Sequence, residues 1–175
     1  NNLSLSNKYT FFLNTYGSLY AVAKKDMEIK WFLNLNQSLD INPSNLFLGN
    51  QIVNNNKKIV VSSNQATFVI DEETGSILFK KNFTSIVKPI IINEYFLAIS
   101  KNNFLIVTNM NNGEILYSLD INQEIANYLK SKKKEVQIKN MMIVNNKIFI
   151  FLKNSYFLKF DLNGNLKKID KLANK

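Results

Sequence analysis

The amino-acid sequence predicts an all-β fold in which a small antiparallel sheet recurs about four times. Two segments near the middle, 63–79 and 101–117, follow the same pattern: a polar turn, an apolar strand, an Asp/Asn-x-x-Thr/Asn-Gly turn, and a strand that ends on an aromatic residue. Such a unit cannot bury its own apolar face and needs a similar neighbour. The sequence therefore predicts a β-propeller whose blades are four-stranded antiparallel sheets.

Two weaker copies of the same pattern flank this pair. The first covers 15–31 and the last covers 153–168. Neighbouring copies close at positions roughly 40 to 50 residues apart, which is the range of propeller blades. The closing positions hold Trp31, Phe79, Tyr117 and Lys168.

Short apolar runs before each copy complete the blades. Segments 89–92 and 95–99 precede the third copy, 141–144 and 147–152 precede the fourth, and a run from 46 to 61 precedes the second. β-branched and aromatic runs separated by Asn and Gly are typical of strands and hairpins. The predicted blades are 1–36, 46–82, 88–120 and 138–170.

The antiparallel hairpins favour a propeller over a linear solenoid, because β-solenoids use parallel strands. One helix is predicted, around 123–130, where Ile125, Tyr128 and Leu129 share a face. The aromatic run 9–13 is interpreted as packing between blades, in preference to a ligand platform.

Glycine marks three of the predicted turns. Gly75, Gly113 and Gly164 each follow an Asp or Asn by three or four positions, as a tight turn with positive φ requires. Asp71 and Asn109 are suited to cap their turns with side-chain oxygens. Ordinary β-turns are the alternative reading of each site.

The turn and the strand after it carry a family resemblance. Segment 71–79 resembles the blade signature Ala-x-Asp-x-x-Thr-Gly-x-x-x-Trp of the pyrroloquinoline-quinone-type (PQQ-like) β-propeller repeats, and segments 109–117 and 23–31 are further copies. The resemblance implies that the closing aromatic docks on the next blade. The repeat positions are Asp71, Thr74, Gly75, Phe79, Asn109, Gly113, Tyr117, Trp31 and Gly164.

The resemblance also implies a ring of seven or eight blades, of which this chain supplies about half. The family includes quinone-dependent dehydrogenases, which carry the quinone and calcium in a full ring, and non-catalytic, BamB-like propellers of the bacterial cell envelope. We interpret the chain as a non-catalytic scaffold for protein–protein interaction in outer-membrane protein assembly. A fragment of a quinone-dependent dehydrogenase and a sugar- or peptide-binding propeller are the alternatives.

Composition restricts the chemistry that the chain performs. Histidine and cysteine are absent, which removes the commonest general base, the commonest transition-metal ligand and all thiol chemistry. We therefore predict no catalytic, cofactor-binding or metal-binding residues. The net charge is +9, yet every basic residue is lysine. Because nucleic-acid readers favour arginine, we expect no nucleic-acid partner.

A run of lysines follows the predicted helix. Lys130, Lys132, Lys133 and Lys134 form a candidate interaction loop for an acidic protein surface or for phospholipid headgroups at a membrane surface. A solvated loop between two blades is the alternative reading.

An incomplete ring leaves apolar faces at both ends, which we expect a second copy or the missing blades of a longer parent to cover. The chain begins at Asn1, which we interpret as a processed chain or a part of a longer one. The expected location is the periplasm or cell envelope, with the cytoplasm as the alternative.

Overall fold

A computed structural model describes residues 3–35, 52–55, 57–63 and 66–172. Across these ranges the chain forms four antiparallel sheets of four strands, each a meander in chain order, and one helix. Blade 1 consists of β1 (Leu3–Leu5), β2 (Tyr9–Leu13), β3 (Ser18–Ala23) and β4 (Ile29–Asn34). Blade 2 consists of β5 (Val53–Asn55), β6 (Lys58–Ser62), β7 (Thr67–Asp71) and β8 (Ile77–Lys81). Blade 3 consists of β9 (Ile90–Ile92), β10 (Tyr95–Ile99), β11 (Phe104–Asn109) and β12 (Ile115–Asp120), and blade 4 of β13 (Ile138–Val144), β14 (Lys147–Leu152), β15 (Tyr156–Asp161) and β16 (Leu166–Lys171).

Consecutive blades pack face to face, with a separate apolar cluster in each of the three gaps. Between blades 1 and 2 the cluster includes Phe11, Leu19 and Ile70, which are fully buried. The first strands of the blades also contact one another in series, and the Asn54 amide of β5 donates to the Leu5 carbonyl of β1 at 3.2 Å. Sheets splayed around their first strands are the blades of a partial β-propeller, so the predicted fold is confirmed.

Each blade carries the same irregularity. The pairing of the third strand with the fourth shifts register at Ala21/Val22, Val69/Ile70, Val107/Thr108 and Lys159/Phe160. A bulge of this kind adds a residue to one strand and increases the local twist. Its recurrence at equivalent positions shows that the four units are copies in structure as well as in sequence.

The helix differs in detail from its prediction. Helix α1 (Ile121–Leu129) begins two residues earlier, because the Asp120 side chain caps it by accepting from the Gln123 amide. It turns Ile121 and Ala126 into the core, while Tyr128 and Leu129 are exposed. Of the three residues predicted to share a face, Ile125 packs against the core, whereas Tyr128 and Leu129 are exposed. In the described residues, no helix has the length and apolarity to cross a membrane.

Two further differences concern the strands. Strand β13 begins at Ile138, three residues before the predicted start. The predicted lead-in strand of blade 2 at 46–48 lies outside the described residues, as does most of the segment between blades 1 and 2. In the aromatic run 9–13, Phe11 is fully buried as expected, whereas Phe12 is 46% exposed on the face that has no neighbouring blade.

Candidate interaction surfaces

The turn between β7 and β8 shows how each blade forms a docking site for the blade before it. One carboxylate oxygen of Asp71 accepts hydrogen bonds from the amides of Glu73 and Thr74 at 3.0 and 2.8 Å, and from the Thr74 hydroxyl at 2.9 Å. Burial acts to raise the pKa of Asp71, but these hydrogen bonds outweigh it and the pKa is lowered. The capped turn then closes with the Gly75 amide donating to the Asp71 carbonyl at 3.0 Å.

The closing aromatic of blade 1, Trp31, packs directly against Gly75. Its φ is +72°, as the predicted tight turn requires. A Cβ at this position would lie 2.6 Å from the Trp31 ring, well inside van der Waals contact. Glycine is therefore needed here twice, for the left-handed backbone and for the close approach of the indole.

The same pairing recurs at the other two junctions. A Cβ at Gly113 would lie 3.1 Å from the ring of Phe79, and one at Gly164 would lie 3.1 Å from the ring of Tyr117. Both glycines have positive φ, +74° and +86°. At all three junctions, the closing aromatic of one blade rests on the turn glycine of the next.

A hydrogen bond accompanies each aromatic contact. The Trp31 indole N–H donates to the Glu72 carbonyl at 3.0 Å, and the Tyr117 hydroxyl donates to the Leu162 carbonyl at 2.9 Å. Phe79 has no donor, and at its junction the Lys58 ammonium donates to the Met110 carbonyl at 3.0 Å. The accepting carbonyl is always that of the residue after the first Asp or Asn of the turn.

The third junction has a distinct electrostatic character. Burial, and to a lesser extent the charge of Asp161, raise the pKa of Tyr117 to about 12. The pKa of Asp161 is held well below its ordinary value, first by the Asn165 amide and side chain, and also by an ion pair with Lys167 at 3.0 Å. Tyr117 thus packs on the turn as a neutral phenol beside a charged carboxylate.

Among the described residues, one face of blade 1 has no neighbouring blade, and we term it the leading face. Side chains alternate across a sheet, so the strands that bury Phe11 and Ala21 against blade 2 present Phe12 and Tyr20 to the other side. There Phe12, Tyr20 and Phe32 form a ladder with ring centroids 6.4 and 6.0 Å apart, and Phe32 is 66% exposed. Exposed aliphatic residues extend the ladder: Leu3, Leu5 and Ile29.

The turn at the edge of the leading face has no glycine at the position that corresponds to Gly75. Met27 occupies the position of Gly75, with a φ of +59° and the same amide-to-carbonyl closure, to Ala23 at 2.9 Å. Its side chain is 76% exposed. Asp26 and Glu28 flank it, and both bind the Lys30 ammonium, at 3.2 and 3.1 Å.

In the part of the chain that the structure describes, blade 4 has the opposite open face, which we term the trailing face. Its β14 and β15 bury Ile148 and Leu158 against blade 3 and so turn Phe149, Phe151 and Phe157 outward. The Phe157 ring lies 6.0 and 6.1 Å from the rings of the other two. The cross-strand row that begins at Phe149 ends in two lysines, Lys159 and Lys168.

The basic loop follows helix α1 on the surface. Lys130 ends the helix in a left-handed conformation with φ of +49°, and Lys130, Lys132, Lys133 and Lys134 are all exposed. Lys133 binds Asp120 at 2.5 Å and so ties the loop to the start of the helix. We define the helix–loop patch as Tyr128, Leu129, Lys130, Lys132 and Lys134.

Sequence reasoning missed three features of these surfaces. It did not identify the Phe12 ladder or the trailing Phe149 cluster as surface features, because exposed and buried blade faces are equally apolar in sequence. It also missed Lys58, although the lysine shares its place at the start of a second strand with Lys147. In the described residues, no three acidic side chains lie where they would hold a metal ion together.

By sequence, the chain matches no protein-family profile and no curated protein. Its fold does match solved structures. BamB from Moraxella catarrhalis superposes with a TM-score of 0.75 at 12% identity, over 97% of this chain and 49% of that one. Quinohemoprotein alcohol dehydrogenase from Comamonas testosteroni gives 0.76 at 10% identity, over 97% of this chain and 34% of that one.

The computationally designed Ika4 protein also matches, with a TM-score of 0.62 at 11% identity, over 98% of this chain and 89% of that one. These likenesses define the class of the protein as a β-propeller fold. At such low identity they define the fold alone. The chain spans about half the length of the BamB chain and about a third of the dehydrogenase chain.

Proposed function

We propose that this chain is a non-catalytic propeller scaffold of the cell envelope, which binds a protein partner during outer-membrane protein assembly. The helix–loop patch is the observation that carries the proposal. It places Tyr128, 46% exposed, and Leu129, 55% exposed, next to three exposed lysines on an insertion between two rigid blades. An apolar centre with a charged rim is the usual composition of a protein-binding surface.

The patch fits an acidic partner. Lys133 is already paired with Asp120, whereas Lys130, Lys132 and Lys134 extend the positive charge around Leu129. The net charge of +9 adds long-range attraction for an anionic surface. The likeness of the fold to BamB supports a scaffold role, and the sequence resemblance supplies the envelope setting.

Photo-cross-linking in intact cells tests the partner. A photoreactive benzoylphenylalanine in place of Leu129 is expected to give an adduct with a protein of outer-membrane assembly, identified by mass spectrometry. The same group at Lys153, in the exposed β14–β15 turn, is the matched control and is expected to give none. Equal labelling from both positions, or none from Leu129, would contradict the proposal.

Three further measurements separate the competing functions. A triple change of Lys130, Lys132 and Lys134 to Gln is expected to abolish the cross-link, and flotation with phosphatidylglycerol-rich vesicles shows whether the same lysines bind lipid instead. Addition of the quinone and calcium to the purified chain tests the dehydrogenase alternative. Tight quinone binding with reduction of an electron-acceptor dye would overturn the non-catalytic assignment.

A further inference from the structure

Two of the blade turns contain the dipeptide Asn-Gly, at 112–113 and at 163–164, and the sequence has no other. An asparagine side chain loses its amide nitrogen most readily before glycine, because glycine has no Cβ to hinder attack by its own main-chain nitrogen. Both asparagines are exposed, and both glycines are buried against an aromatic ring of the preceding blade. Deamidation at either turn would therefore alter a contact between blades.

The main-chain parts of the two turns are alike. The Gly113 amide donates to the Asn109 carbonyl at 2.9 Å, and the Gly164 amide donates to the Asp161 carbonyl at 3.1 Å. Each bond holds the attacking nitrogen in its turn and slows the reaction to a similar extent. A difference between the two sites must therefore come from the asparagine side chains.

These side chains are held differently. The Asn112 side-chain oxygen accepts from the Glu114 amide at 2.9 Å, and its nitrogen donates to the Glu114 carboxylate at 3.3 Å. To meet the nitrogen of the next residue, the Asn112 side chain must give up both bonds. Among the described residues, no hydrogen bond holds the Asn163 side chain, although its main-chain amide donates to the Asp161 carboxylate at 3.1 Å. The Asn163 side chain is therefore free to turn toward the Gly164 nitrogen.

Asn163 also lies between the two residues that position Tyr117. The Leu162 carbonyl accepts from the Tyr117 hydroxyl at 2.9 Å. The Tyr117 ring packs on Gly164, where a Cβ would lie 3.1 Å from it. A change in the main chain between Leu162 and Gly164 therefore moves one of these contacts relative to the other.

We propose that Asn163 is a site of spontaneous deamidation, and that the isoaspartate formed there releases blade 4 from its contact with Tyr117. The Gly164 nitrogen attacks the side-chain carbonyl carbon of Asn163 and closes a succinimide ring. The side-chain nitrogen leaves as ammonia, with the proton of the Gly164 amide. Water then opens the ring: at the side-chain carbonyl it gives aspartate, and at the main-chain carbonyl it gives isoaspartate, in which the chain runs through Cβ and is longer by one carbon atom.

A comparison of the two turns in one sample tests the reaction. The purified protein is incubated at mildly alkaline pH, and deamidation at each site is followed by peptide mass spectrometry. Asn163 is expected to react about tenfold faster than Asn112, because Asn112 must first give up two hydrogen bonds. In guanidinium chloride, where the turns are unfolded, the two rates are expected to become similar. Equal rates in the folded protein, or an undiminished difference in denaturant, would overturn the inference.

The phenol of Tyr117 reports whether the contact between blades is lost. The isoaspartyl protein is separated by ion exchange and identified by methylation with an isoaspartate methyltransferase. In this form we expect the pKa of Tyr117 to fall from about 12 toward the ordinary value of about 10. Asn163→Asp is the matched control, because it adds the same charge on a normal main chain, and it is expected to keep the high pKa. Asn163→Gln is expected to keep it through the same incubation.

Two results would overturn the release of blade 4. One is a Tyr117 pKa that stays high in the isoaspartyl protein, and the other is a pKa that falls equally in Asn163→Asp. The inference rests on the contact between blades 3 and 4 and does not depend on the proposed function.

Discussion

The hydroxyl of Tyr117 donates to the main-chain carbonyl of Leu162, 45 residues further along the chain, at 2.9 Å. Trp31 makes the equivalent bond to Glu72 at 3.0 Å. The contact between blades is therefore directional as well as apolar: an aromatic ring lies on a glycine, and a polar donor fixes its position along the turn. This geometry leads to predictions that separate strain, packing and hydrogen bonding.

Gly75→Ala is expected to destabilise the protein more than Gly113→Ala. Both glycines have nearly the same φ, +72° and +74°, so the backbone strain is matched. The clearances differ, because the new Cβ would lie 2.6 Å from the Trp31 ring but 3.1 Å from the Phe79 ring. We expect a loss of about 2–4 kcal/mol for Gly75→Ala and about 1–2 kcal/mol for Gly113→Ala. Urea unfolding followed by circular dichroism measures both, and equal losses would show that the clash is relieved.

Trp31→Phe is expected to reduce stability by about 1 kcal/mol, because it removes the hydrogen bond to Glu72 and keeps a ring on the glycine. Trp31→Ala, which removes the ring as well, is expected to lose about 3–5 kcal/mol. Trp31 is the only tryptophan, so its fluorescence in the wild-type protein reports on the junction of blades 1 and 2 alone. A fluorescence transition at higher urea than the circular-dichroism transition would contradict the assignment of this junction to an end blade.

Asp120→Ala is expected to lower the stability by about 1 kcal/mol through loss of the helix cap on Gln123. Asp120→Asn is the matched control, because it keeps a capping oxygen but removes the ion pair with Lys133, whose side chain is half exposed. An exposed ion pair contributes little, so we expect a change of only a few tenths of a kcal/mol for this variant. Thermal unfolding of the two variants compares the cap with the ion pair, and equal losses would assign the effect to the ion pair.

The phenol of Tyr117 is expected to titrate well above the ordinary pH range of a tyrosine. Its folded pKa is raised to about 12 from an unfolded value near 10. Because the folded pKa is the higher one, the stabilisation is complete below about pH 10 and is lost as the pH rises toward 12. Absorbance at the phenolate band is expected to show one late phenol, and Tyr117→Phe removes it. A late phase that persists in Tyr117→Phe would assign the shift to another residue.

The turn at Asp71 is expected to contribute to acid sensitivity. Its folded pKa is lowered, so its stabilising effect is present above the unfolded pKa of about 4 and is lost as the pH falls through the folded value. Asp71→Asn keeps a side-chain cap, as Asn109 does in blade 3 by accepting from the Asn111 amide. The variant is expected to lose less stability than the wild type between pH 5 and pH 2, in urea unfolding at each pH. An unchanged pH dependence would contradict a role for this carboxylate.

Much of the fold can be predicted from the sequence, because each blade is formed by residues that are close together in the chain. The spacing of the closing residues locates four sheets, and the glycines locate three turns with positive φ. The docking of Trp31 on Gly75 was implied only by the family resemblance, because no local pattern brings residues 44 positions apart together. Lys58 was not predictable, since its bond to Met110 depends on the distance between two blades.

The surfaces were harder to predict than the core. Phe11 and Phe12 are adjacent and alike in sequence, yet one is fully buried and the other is 46% exposed. Which side of blade 1 lacks a neighbour depends on how the sheets are stacked. Helix α1 is a second example. The spacing of its apolar residues predicted a helix, but the face that it turns to the core is set by the Asp120 cap and by packing on blade 4.

The apolar interior is divided into three clusters, each shared by two consecutive blades. In such a protein, each blade is stabilised mainly by the blades next to it. Blades 2 and 3 pack against a neighbour on both faces, whereas blades 1 and 4 pack against a neighbour on one face. Amide protons of β6, β7, β10 and β11 should therefore exchange with deuterium more slowly than those of β2, β3, β14 and β15 in an isolated chain. Closure into a ring would give all four blades the same protection.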